Sequence, residues 1–178
     1  MFEHIAVRKK PGSVIEAVLA AGNRQFQCVL GKGGTTVFKR EGDGATPAHR
    51  VLHPLSAYWR SDRLLKRPVC SLPLRAIQFT DGWCDEPASA TYNQPVRLPF
   101  APSHEVMMRQ DCLYDLCVVL DWNMPPVRSR GRGSAIFMHV AKPGFPPTAG
   151  CIAMALPDLL QIVSRLSIMT KIIVYRQS

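Results

Sequence analysis

Apolar positions along the chain fall into short runs separated by Gly, Pro, Asn and Asp, which is the spacing of a strand-rich protein. Seven runs predict strands: HIAVRK (4–9), QFQCVLG (25–31), TVFKRE (36–41), RAIQF (75–79), LCVVLDW (116–122), SAIFMHV (134–140) and KIIVYR (171–176). LCVVLDW is apolar almost throughout, as expected of a strand buried on both faces. In SAIFMHV a two-residue period puts Ala135, Phe137 and His139 on one face. His139 therefore closes its strand just before the chain turns away.

Helical periodicity is confined to LPDLLQIVSRL (156–166), where Leu156, Leu159, Leu160, Val163 and Leu166 form one stripe. Pro157 suits a first turn, and Asp158 complements the positive end of the helix dipole. SVIEAVLAAG (13–22) fits two readings. Ser13-x-x-Glu16 has the form of a capping box, while the apolar run fits a hairpin strand, and the strand is preferred. Residues 42–70 and 84–104 are rich in Pro, Gly and polar side chains and read as long functional loops. No repeat or linker divides the 178 residues, so one mainly β domain spanning 1–178 is expected, with a late helix packed on it.

Composition narrows the classes. No apolar run approaches the ~18–20 residues of a membrane span. The start, MFEHIAVRKKPGSV, has basic residues but no apolar core of an export signal. Lys and Arg outnumber Asp and Glu by 22 to 13, a net +9 that favours a polyanionic partner: nucleic acid, anionic lipid or anionic wall polymer. The lysines are not interleaved with aromatic residues, so single-stranded nucleic acid is the poorest fit, and no nucleic-acid partner is expected.

The six cysteines have no C-x-x-C pair and no zinc-like spacing, and all six are expected to be reduced thiols. Cys151, in the small-residue run Thr148-Ala149-Gly150-Cys151, follows His139 by twelve positions. Pro143, Gly144, Pro146 and Pro147 force the chain between them to loop. A loop that brings the two together gives an imidazole that takes the thiol proton, or holds it in an ion pair, and a sulfur that attacks a carbonyl. Backbone N–H groups around Cys151 would then receive the oxyanion. Gly150 permits tight turning there, and Thr148 offers a hydroxyl to orient substrate or loop. No acidic residue lies near enough in sequence to orient His139, which leaves a backbone carbonyl. Taken alone, these residues equally fit a buried cysteine and a satisfied strand histidine.

The order strand–His–loop–[Ser/Thr]-x-Gly-Cys-aliphatic, then a helix and a last strand, resembles the YkuD-type L,D-transpeptidase catalytic domain. GKGGTTVFKREGDGATPAHRVL (31–52), with Thr46-Pro47, is similar to the family's glycine-rich strand pair. DGWCDEPASATYNQPVRLP (81–99), RQDCLYDLCVVLDWN (109–123) and GRGSAIFMHV (131–140) resemble its compact, stand-alone bacterial branch. The resemblance implies a β-sandwich or barrel-like fold. It also implies Cys151 as nucleophile, His139 as base, the Val140 carbonyl as orienter of the imidazole, and the Gly150 and Cys151 N–H groups as the oxyanion hole. The implied partners are peptidoglycan stem peptides, with carbapenems as inhibitors, in the periplasm or cell envelope. The chemistry calls for no metal or organic cofactor. Two positions depart from the family pattern: Ala149 stands where histidine is usual, and Ala153 where arginine or asparagine is. Substrate contacts of better-known members therefore do not carry over.

Further candidates come from the loops. Trp83, Asp85, Tyr92 and Asn93 could line a peptide or sugar groove or merely pin their loop. Arg109 could bind a stem carboxylate or pair with Asp111 or Asp115, in a polar cluster with Tyr114. The arginines of RSRGRG (128–133) flank the site strand and could meet anionic polymer. A metal site from His49, His53 and His104 is not expected. Two rivals to the transpeptidase reading are a cysteine hydrolase on the same dyad and a non-catalytic basic module that binds wall polymer.

Overall fold

The computed structural model describes residues 1–176. Fifteen strands and one helix follow one another: β1 His4–Lys9, β2 Glu16–Ala21, β3 Arg24–Val29, β4 Thr35–Thr36, β5 Thr46–Pro47, β6 Val51–Leu52, β7 Pro54–Trp59, β8 Leu74–Ala76, β9 Asp81–Cys84, β10 Gln94–Arg97, β11 His104–Val106, β12 Leu116–Leu120, β13 Phe137–Val140, β14 Ile152–Met154, α1 Leu156–Val163 and β15 Lys171–Tyr175. The protein is mainly β, as its patterning predicts. Ten strands form one mixed sheet in the order β6-β15-β1-β2-β3-β14-β13-β12-β7-β8, and β10-β9-β11 form a second, antiparallel sheet.

β12 explains how the layers meet. All five of its residues are buried, and alternation sends them to opposite sides. Leu116, Val118 and Leu120 join a core that includes Leu159, Ile162 and Val163 of α1. Cys117 and Val119 join a second core, with Tyr58, Trp83, Met107, Tyr114 and Phe137. β13 follows the same rule: Met138 and Val140 face the helix-side core, while Phe137 and His139 face the other way. One face of the large sheet thus rests on α1, and the other, with Cys117, Val119 and Phe137, packs beneath the small sheet.

Three expectations need correction. Residues 42–70 are not all loop: β7 lies among them, entering on Pro54 opposite the irregular Val119/Leu120 register. Proline is tolerated at a strand's first residue, so its presence concealed the strand. The 84–104 segment likewise contains β10 and the start of β11, which pair with the two edges of β9. Of TVFKRE, by contrast, only Thr36 is strand, as the last residue of β4. The ambiguous segment around Glu16 is β2, and Ser13 Oγ accepts the Ile15 and Glu16 N–H groups, so the Ser-x-x-Glu pattern makes a turn rather than a helix cap. No helix among the described residues is long and apolar enough to cross a membrane.

Candidate active site

β13 and β14 run parallel as neighbours, with His139 opposite Ala153 and Met138 opposite Ile152. Extending that register by one step sets Cys151 beside Phe137, and the Phe137 N–H donates to Cys151 Sγ at 3.4 Å. Residues paired across parallel strands share a face, so Cys151 and His139 are diagonal neighbours on the same side. Both line a cleft of roughly 300 Å³ with Glu105, Arg109, Tyr114 and Lys142. They lie at its floor, where Cys151 is 8% and His139 4% exposed.

The loop that returns the chain to Cys151 is held by glycines and threonines. Gly150 has φ +140°, and a Cβ there would lie 2.9 Å from the Ala45 carbonyl oxygen. Only glycine takes that conformation at so close an approach. Gly31 packs against Gly150, and its own Cβ would lie 2.1 Å from the Gly44 carbonyl oxygen. Thr148 Oγ1 donates to the Cys151 carbonyl at 2.8 Å and accepts the Gly150 N–H at 3.1 Å. Thr148 thus orients the loop. Its bond also takes the Gly150 N–H away from the expected oxyanion hole. The Cys151 N–H has no acceptor among the described residues and stays available.

His139 Nδ1 lies 2.9 Å from the Val140 carbonyl oxygen. A carbonyl only accepts, so Nδ1 carries the proton and Nε2 is the free, basic nitrogen. Burial lowers the His139 pKa to about 4, partly offset by the Val140 bond. Burial also pushes the Cys151 thiol up to about 12, and the Glu105 charge adds to the rise. The pair therefore rests neutral. In this state the thiol donates to the Ala135 carbonyl at 3.1 Å rather than to the imidazole.

Trp83, Tyr92 and Asn93 do not line the cleft, as they are 2%, 0% and 1% exposed. Asn93 Oδ1 accepts the Trp83 Nε1–H at 3.0 Å and the Ala135 N–H at 2.9 Å. Its Nδ2 donates to the Trp122 and Asn123 carbonyls, both at 2.9 Å. Tyr92 donates to Glu41. Trp83 stacks edge-on against Phe137, with centroids 5.0 Å apart. These three pin the scaffold behind Cys151 through bonds within the protein. Their polar groups have protein partners, which is why burial does not penalise them. Arg128, of the basic RSRGRG segment, is likewise engaged, donating to the Tyr92 and Ala90 carbonyls.

Arg109, Asp111 and Tyr114 do form a cluster. Arg109 meets Asp111 through two bonds of 2.8 Å and lies over the Tyr114 ring, 5.3 Å from its centroid. Lys142 Nζ reaches Asp111 at 3.4 Å. That leaves two cations sharing one carboxylate at the cleft wall. Tyr114 stands edge-on to His139 at 5.7 Å and donates to Glu105, whose pKa burial raises. Glu105, Lys142 and the Ala135 carbonyl were not legible in sequence, because each enters the site through strand pairing or loop closure. All six cysteines are free thiols. His49, His53 and His104 serve separate partners: the Arg176 N–H, Asp121 and the Pro102 carbonyl.

Residues 9–174 match the family of YkuD L,D-transpeptidase catalytic domains. No curated protein matches the chain, and no solved structure does. Because that match runs through both cores, the cleft and the last strand, this protein belongs to the YkuD L,D-transpeptidase catalytic-domain family.

Proposed function

We propose that this protein is a cysteine L,D-transpeptidase that cross-links peptidoglycan stem peptides in the periplasm or cell envelope. Cys151 Sγ attacks a carbonyl of a donor stem as His139 Nε2 takes the thiol proton, and the Cys151 N–H receives the oxyanion. Collapse expels the downstream amino acid, which leaves with the proton from Nε2, and a thioester remains. An amine of a second stem attacks that thioester, Nε2 removes its proton, and the proton returns to sulfur as the new amide forms. The cross-link is of the 3,3 or the 1,3 type. Arg109 and Lys142 offer a carboxylate of the stem two cations at the cleft wall.

One observation carries this reading. A thiol and an imidazole with its proton fixed on the far nitrogen share one face of adjacent strands and open to one cleft. Because the pair is neutral at rest, proton transfer is coupled to attack instead of preceding it.

The test supplies purified stem peptides with and without an acceptor stem. A joined product that needs the acceptor is expected. Shortened stems alone would make the protein an L,D-carboxypeptidase. No reaction would favour the non-catalytic wall-binding module. In parallel, intact mass after incubation with a carbapenem should show an adduct in the wild type and none in Cys151→Ala.

A further inference from the structure

Most of the chain's cations, Arg40 and Arg130 among them, meet no carboxylate among the described residues; what distinguishes Arg24, Lys66, Arg67 and Arg165 is that they gather at one place. Arg60, Arg63, Arg75 and Arg109 each meet a carboxylate. Arg24, Lys66, Arg67 and Arg165 meet none among the described residues: Arg24 bonds the Gln161 amide, Arg67 the Leu74 carbonyl, and Arg165 lies over the Phe2 ring. These four unneutralised cations surround one place. Lys66 and Arg67 line an open groove of roughly 680 Å³ between the loop after β7 and α1. Arg24 and Arg165 line a smaller cleft that adjoins it, the two sharing Gln161 and Ser164. Neither lining contains a carboxylate; the acid nearest along α1 is Asp158, one turn before Gln161.

The groove itself is apolar. Leu64, Pro68 and Leu160 form its walls, and Leu65 and Val69 project from its rim, 91% and 77% exposed. A projecting leucine gains nothing in water. Within the headgroup region of a bilayer it buries its side chain while flanking cations lie level with the phosphates. We propose that the loop carrying Leu65, Lys66, Arg67 and Val69, together with the exposed face of α1, is a docking surface for an anionic phospholipid membrane. The chain lies on that surface and does not span it. Arg63, in the same loop, donates to Asp115 and to the Gln110 and Asp111 carbonyls. The docking loop is therefore braced directly against the segment that carries Arg109 into the catalytic cleft. This surface is independent of the proposed reaction and holds or fails without it.

Vesicle co-sedimentation of the full chain tests the proposal, with phosphatidylcholine alone and with phosphatidylcholine mixed with phosphatidylglycerol. Binding is expected only to the anionic vesicles and is expected to weaken as salt rises. Leu65→Ser/Val69→Ser and Lys66→Gln/Arg67→Gln should each weaken it by about tenfold or more. The control Arg40→Gln/Arg130→Gln removes the same charge from exposed positions away from the groove and should bind nearly as the wild type does. Three results would overturn the proposal: wild type that ignores phosphatidylglycerol, groove variants that bind unchanged, or a control that loses as much as Lys66→Gln/Arg67→Gln. All substituted side chains are exposed, and an unchanged circular dichroism spectrum separates lost binding from lost fold.

Discussion

The Cys151 thiol donates to the Ala135 carbonyl at 3.1 Å, and the imidazole of His139, which shares its cleft, receives no bond from it. With the thiol pKa at about 12, on the order of one sulfur in 10⁵ is ionised at pH 7. Iodoacetamide labelling of Cys151, read against Cys151→Ala, should therefore be slow at neutral pH. It should rise about tenfold per pH unit without levelling off below roughly pH 10. A plateau near neutrality would mean a resting thiolate–imidazolium pair and would refute the neutral description.

His139 makes a stability prediction whose sign follows from burial. Its folded pKa of about 4 lies below the ordinary value of 6.5, so the unfolded chain binds more protons between those limits. Its contribution is complete above pH 6.5 and is lost as pH falls towards 4, by up to about 3 kcal/mol. Denaturant titrations of the wild type and His139→Gln should converge across that window as pH falls. Parallel curves would remove the histidine as the cause. The same variant should slow acylation by roughly 10²–10⁴-fold.

Gly150 is required by backbone conformation as well as by space. Gly150→Ala places a Cβ 2.9 Å from the Ala45 carbonyl oxygen on a backbone at φ +140°. A loss of about 1–3 kcal/mol in stability is expected, with a larger loss in acylation because the sulfur shifts with the loop. Chemical denaturation and single-turnover acylation measure the two separately.

Much of this is legible in the amino-acid sequence. Alternation in SAIFMHV assigns Phe137 and His139 to one face, and the continuous apolar run of LCVVLDW anticipates a strand buried on both sides. What the pattern could not carry was contact between distant segments. Trp83, Tyr92 and Asn93 look like groove residues because aromatic and amide side chains in a polar loop usually stay wet. They are buried because Trp83 packs on Phe137 while Asn93 and Tyr92 bond to Ala135 and Glu41, far along the chain, and residues 42–70 hid β7 behind its leading proline. The Ala135 carbonyl and Glu105 left no local trace, since a backbone oxygen has no sequence signature and Glu105 depends on Tyr114 for its meaning.

Asn93 should behave as a positioning residue. Asn93→Ala leaves the Ala135 N–H and the Trp83 Nε1–H without their acceptor, at about 1–3 kcal/mol for each buried group. The expected result is lower stability together with slower Cys151 acylation and little change in KM for the donor. A selective rise in KM would instead place Asn93 against the substrate.

Arg109 is expected to show the opposite split. Arg109→Gln gives up the twin bonds to Asp111 and one of two cations at the cleft wall. KM for a donor stem should rise by on the order of tenfold while kcat stays within about threefold. A fall in kcat at unchanged KM would assign Arg109 to the chemical step.

In the proposed reaction, the parallel pairing of β13 with β14 would separate reactivity from selectivity. Sheet register fixes the distance between base and sulfur, whereas the crossover that joins the two strands contributes Lys142, Pro146, Pro147, Thr148 and Ala149 to the cleft wall. Lengthening or rewriting residues 142–147 should therefore change which peptides are accepted and leave the reacting pair in place.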